Sequence, residues 1–143
     1  MMIATEPRLI DVETAATILA APVAVACGFP SPAQDFYDGP IDLTDMLVED
    51  RAATFLVRAS GHSMTGAGIS DGDELLVDRS KHPQHGDIIV AVLDGELTVK
   101  RLELTTVGVV LRAENAEHPD IVVPELSDLQ IWGVAMYCIH HLR

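Results

Sequence analysis

Two short stretches of this chain combine a reactive side chain with a setting that could activate it. The first is Ala59-Ser60-Gly61-His62-Ser63-Met64. A glycine in such a turn lets the backbone bend sharply and expose Ser63, with the amides of Ser63 and Met64 able to hold an oxyanion. The same six residues also read as a polar loop that happens to carry two serines. The second is Lys100, within Glu96-Leu97-Thr98-Val99-Lys100-Arg101-Leu102-Glu103-Leu104. Strand alternation puts Lys100 on one face with Thr98, Leu102 and Leu104, and Arg101 on the other with Leu97, Val99 and Glu103. A face turning apolar towards its end can desolvate an amine. A lysine is a base only when neutral, and at an unperturbed pKa of ~10.4 about one in two thousand is deprotonated at pH 7. Burial that lowers the value to about 7–8 would make it useful. The plain alternative is an edge-strand lysine that guards against aggregation. On spacing alone both readings stay open at each position.

A third stretch, Ala24-Val25-Ala26-Cys27-Gly28-Phe29-Pro30-Ser31-Pro32, could be substrate instead of catalyst. Residues 14–29 imitate the apolar core of a signal peptide, and Ala24 to Cys27 imitate a lipoprotein cleavage box. A secretory leader should be positive at its start, yet Glu6, Asp11 and Glu13 outnumber Arg8. Pro22 interrupts the apolar run and equally disfavours a buried helix. Phe29-Pro30 holds the chain extended. An extended segment of small side chains around a glycine is what a protease cleft admits.

Other candidates carry less. His82 and His85 have metal-like spacing without a nearby cysteine pair. His140 and His141 are adjacent, so strand alternation would part them. Asp71, Asp73 and Glu74 do not continue into a calcium loop. No cofactor or metal is called for.

The elements that must position these groups read as β structure. Alternating or apolar runs predict strands over 54–59, 74–78, 87–93, 96–104, 107–112, 121–123 and 129–139, after a short helix over 42–48 capped by Asp42. Asp94-Gly95 is a two-residue hairpin signal, and Asp71-Gly72 and His85-Gly86 mark further turns. The expectation is a mainly β fold, a folded antiparallel β domain over 40–143, with residues 1–39 as an extended N-terminal arm.

Composition narrows the partners. The 143 residues suit one domain with a real core, 48% of them hydrophobic at a mean hydropathy of +0.25. The formal net charge is -13, and only Lys81 and Lys100 are lysines. A chain this acidic repels phosphate backbones, so proteins, or the chain itself, are the expected partners. Cys27 and Cys138 are expected as free thiols in a reducing cytoplasm. No 18-residue apolar span suggests a membrane helix.

Taken in order and register, the motifs resemble the UmuD and LexA type of self-cleaving serine peptidases. The resemblance covers about residues 27–143. It runs through Cys27-Gly28-Phe29-Pro30-Ser31-Pro32, Ile41-Asp42-Leu43, the Ser63 stretch, Gly68-Ile69-Ser70-Asp71-Gly72-Asp73, Gly86-Asp87-Ile88 and Gly95-Glu96-Leu97-Thr98-Val99-Lys100. It implies a LexA/signal-peptidase-like β domain, Ser63 as nucleophile, Lys100 as general base, the Ser63 and Met64 amides at the oxyanion, and a cut between Cys27 and Gly28. It also implies a homodimer, and promotion by a RecA filament on single-stranded DNA in the SOS response. The cut chain would then serve an error-prone, UmuC-like Y-family polymerase in translesion synthesis. Residues 1–27 are too few for a winged helix-turn-helix, so operator binding is not expected. His62 stands where acidic or amide residues are usual. Two other readings compete: a non-catalytic β module for binding, and a headless repressor-like regulator.

Overall fold

The computed structural model describes residues 2–4, 7–9, 17–19, 40–106, 108–123 and 129–143. Cys27 and Gly28, the signal-like run and the Pro-rich segment after it lie outside the described residues. The chain divides into two compact units, one of residues 1–10 with 50–143, the other of residues 11–49.

The larger unit is a nine-stranded antiparallel sheet. Its strands are β1 (Ile3–Ala4), β2 (Arg8–Leu9), β5 (Thr54–Ser60), β6 (Glu74–Asp78), β7 (Ile88–Leu93), β8 (Glu96–Thr105), β9 (Gly108–Arg112), β10 (Ile121–Val123) and β11 (Gln130–Ile139). The smaller unit holds β3 (Thr17–Leu19), paired with β4 (Pro40–Asp42), and the helix α1 (Leu43–Leu47). The mainly β class therefore agrees with the sequence reading. Asp42 caps α1 as expected, accepting from the Thr44 amide at 2.9 Å.

The hairpin joining β7 to β8 explains why Lys100 sits where it does. Asp94 and Gly95 take positive φ values of 51° and 79°, as a type I′ turn requires. That turn fixes the register, with Ile89 opposite Lys100 and Ala91 opposite Thr98. A slip of one residue would turn Lys100 to the other face.

The strand order β5-β6-β11-β7-β8 forms an open run until β1 is added. Ile3 lies opposite Ser60 of β5 on one side and Thr98 of β8 on the other. Two residues thus close six strands into a ring. β9 and β10 continue from β8 beyond that seam, starting at Arg101 opposite Arg112.

β11 changes partner along its length. It pairs with β7 from Gln130 to Val134 and with β6 from Val134 to Ile139, with register breaks at Ile131/Gly133 and Ala135/Tyr137. Gly133 permits the crossing, because a Cβ there would stand 2.6 Å from Val77 Cγ1.

Two apolar clusters fill the unit. One gathers Met2, Val57, Ala59, Met64, Leu75 and Val99, among others, and the second is centred on Ile89, Leu102 and Leu111. Each fully buried side chain of this size contributes roughly 1.5–3 kcal/mol. Because both clusters press on β8, its two faces are covered from Thr98 to Lys100.

Candidate active site

Ser63 lies in the turn between β5 and a single 3-10 turn, Thr65–Ala67. Gly61 has φ of 105°, a conformation that side chains disfavour, and its amide donates to Asp71 Oδ1 at 2.8 Å. The Ala59 amide donates to the Asp73 carbonyl at 2.8 Å, and the Gly72 amide to the Ala59 carbonyl at 2.9 Å. The sharp bend is therefore held on one side by the 71–73 turn. On the other side the Asn115 side-chain amide donates to the His62 carbonyl at 2.8 Å, and the Gly66 amide to the Glu114 carbonyl at 2.6 Å.

The bend is as the sequence suggests, but Ser63 is not exposed. Its exposure is 0%, and the Met2 amide donates to Ser63 Oγ at 2.8 Å. Met2, in a stretch that carries no recognisable strand pattern, covers the hydroxyl that the turn would otherwise present.

Lys100 is 2% exposed, in the middle of β8. Thr98 at 0% and Leu102 at 2% share its face, in keeping with strand alternation, whereas Leu104 near the strand end is half exposed. Burial pushes the Lys100 amine below the ordinary lysine value, and the negative charge of Asp120 pulls it partly back. A guarding lysine at an open edge would keep its ammonium in water. This one does not.

Met2 ties the two groups together. Its amide is on Ser63, and its carbonyl accepts from Thr98 Oγ1 at 3.1 Å and from the Val99 amide at 3.4 Å. One residue therefore spans the space between the Ser63 turn and the stretch of β8 that leads into Lys100. Met2, Thr98, Asn115 and Asp120 were not singled out by sequence reasoning as site residues. Thr98 could have been, from its shared face with Lys100; the others leave no local signal.

Beside the Ser63 turn lies an open depression of about 590 Å3, walled by Thr65, Gly66, Asn115 and Asp120 among others. It is separate from the covered hydroxyl. The weaker candidates have other employment: His85 Nδ1 accepts from the Leu104 amide, and His140 Nδ1 lies 2.6 Å from Asp73 Oδ1. Among the described residues no three His, Cys, Asp or Glu side chains gather as a metal site.

Sequence comparison gives the class of this protein. The chain belongs to the Peptidase S24-like family, whose model matches residues 18–136, and membership implies serine-peptidase chemistry. Among individual relatives it is 46% identical over 121 residues to protein ImpA of Escherichia coli, covering 81% of this chain and 79% of ImpA. It is 44% identical over 116 residues to protein SamA of Salmonella typhimurium, covering 81% and 80%. The LexA repressor of Delftia acidovorans is 40% identical over 117 residues, which are 82% of this chain and 52% of the repressor.

Proposed function

We propose that the chain is a self-cleaving Ser–Lys peptidase of the DNA-damage (SOS) response, cut between Cys27 and Gly28. The observation that carries this reading is the burial of both Ser63 and Lys100, with Met2 hydrogen-bonded to Ser63 Oγ on one side and to Thr98 and Val99, just before Lys100, on the other. Family membership and the UmuD-type motifs support it.

Neutral Lys100 takes the Ser63 hydroxyl proton while Oγ attacks the Cys27 carbonyl carbon. The tetrahedral oxyanion is held by backbone amides of Ser63 and Met64. As the C–N bond breaks, the Lys100 ammonium gives its proton to the Gly28 nitrogen, leaving Cys27 esterified to Ser63. Water, deprotonated by neutral Lys100, then releases the Cys27 carboxylate and restores the serine. Ser–Lys pairs are a recognised variant of this chemistry.

In this reading residues 1–39 serve as the arm that carries the cut bond, and 40–143 as the peptidase-like domain. A RecA filament on single-stranded DNA promotes cleavage by favouring the docked pose of Cys27–Gly28. The product pairs with itself and serves a UmuC-like Y-family polymerase in the cytoplasm. Neither sequence-specific DNA binding nor a membrane is involved. Among the described residues no helix is long and apolar enough to cross one.

Incubation at alkaline pH followed by N-terminal sequencing tests the proposal. A fragment beginning at Gly28, absent from Ser63→Ala and Lys100→Ala, is expected. A chain that stays whole, or a fragment that begins elsewhere, would overturn it in favour of a binding module.

A further inference from the structure

We infer that residues Met2–Ala4 are an internal competitor for the peptide groove, so that the uncut chain holds its own site closed until they leave. The inference rests on the reading of Ser63 as nucleophile, and deepens it by naming what regulates access.

Three observations converge. The first is topological: among the described residues β5 and β8 are joined at this seam only through β1, with Ile3 opposite both Ser60 and Thr98. Without β1 each strand would show unpaired backbone groups to the groove, which is the arrangement that captures an extended peptide. The second is at the reacting atom. The Met2 amide donates to Ser63 Oγ at 2.8 Å. That bond occupies one of the two lone pairs of the hydroxyl and sets backbone directly against the atom that a scissile carbonyl would have to reach. The third is the anchoring. Met2 is 0% exposed, lies in the same apolar cluster as Met64 and Val99, and has its carbonyl held by Thr98 Oγ1 and the Val99 amide.

The competing segments are chemically alike. Met2-Ile3-Ala4 and Val25-Ala26-Cys27 are both short uncharged apolar triplets without proline, so a groove suited to one accepts the other. Two backbones cannot occupy one lane. Cleavage then proceeds only from the fraction of molecules in which residues 2–4 have withdrawn, and the observed rate is scaled by that fraction. A partner that pulls residues 2–4 out would accelerate cleavage without touching the reacting groups.

The test compares the full chain, a chain lacking residues 2–4, and a locked chain. The lock is Ile3→Cys with Ser60→Cys in a Cys27→Ala, Cys138→Ser background, with that background alone as its control. The deletion should raise alkaline self-cleavage on the order of tenfold, as expected if about nine molecules in ten are closed. The oxidised lock should lose cleavage against its control and regain it on reduction, which keeps the test valid if the deletion folds poorly. A fluorescent peptide of residues 1–9 should bind the deleted chain, not the full chain, and be displaced by a peptide of residues 22–32. Equal cleavage rates in deleted and full chains, an oxidised lock that still cuts, or a peptide that binds neither chain would overturn the inference. Failure of every form to yield a Gly28 fragment, with peptide binding as described, would sink the proposed chemistry and leave the competitor standing.

Discussion

The backbone amide of Met2 donates to the hydroxyl oxygen of Ser63 across 2.8 Å, 61 positions apart in the chain. The proposed nucleophile is thus an acceptor for its own polypeptide. The finding joins a feature of sequence that looked inert, the first residues, to the one that looked reactive.

The pH dependence of self-cleavage should report Lys100. Burial lowers its pKa from 10.5, so the neutral base is gained as pH rises towards that depressed value. The rate should climb about tenfold per pH unit and level off below pH 10.5. A time course by gel from pH 6 to 11 measures it. Lys100→Arg should abolish the reaction at every pH, since a guanidinium stays charged.

Lys100→Met should stabilise the fold at neutral pH while ending cleavage. The folded-state pKa lies below the unfolded one, so the unfolded chain binds more protons between the two values and stability rises with pH through that window. Below the window the cost of the buried group is constant. Removing it should gain on the order of 1 kcal/mol, a few degrees in Tm. The advantage should shrink as pH approaches 10.5. Thermal melts at pH 7 and pH 10 decide it.

Asp73→Asn should destabilise the domain. Burial raises the Asp73 pKa, but hydrogen bonds from the Ser70 amide, His140 and Cys138 outweigh it and leave a net lowering. A depressed carboxyl contributes stability above its unfolded value of 3.8, lost as pH falls through the lower folded value. Loss of these bonds should cost about 1–3 kcal/mol at pH 7. The gap between variant and parent should narrow in acid melts below pH 4. The Cys138 thiol, pushed up to about 11 by burial and then by Asp73, should alkylate faster in the variant.

The proposed homodimer has a natural seat on β11. Beyond Val134 that strand keeps, among the described residues, only its β6 neighbour, and Met136, Tyr137 and Ile139 stand 38–46% exposed. Tyr137→Lys with Ile139→Lys should weaken self-association at least about tenfold, as charges do on a pairing edge. Sedimentation equilibrium reads it. Unchanged association would move the interface elsewhere.

Much of this was legible in the sequence, and the misses share a cause. β5 and β8, of seven and ten residues, are long enough for their pattern to average out local exceptions, and β6, β7, β9 and β10 follow from apolar runs and the turn residues beside them. β1 and β2 have two residues each, too few for any period to show. The change of partner along β11 is likewise invisible, since a strand looks the same whichever neighbour it serves. Ser63 and Lys100 stand out by type and setting, but their proposed roles come from the family resemblance; the cover over Ser63 does not show in the sequence, because it comes from tertiary contact alone. His140 looked like one of an unpaired couple, and its bond to Asp73 depends on where β11 ends.

Gly66 is a position where no side chain fits. A methyl on Gly66 would arrive 2.5 Å from the Glu114 carbonyl oxygen that its own amide already holds, and backbone cannot rotate aside. Any replacement must prise apart two loops, and with them Glu114's grip on Arg101, which in turn holds the Gly86 carbonyl. The bend that carries Ser63 is therefore pinned three residues downstream, by a contact between two backbones.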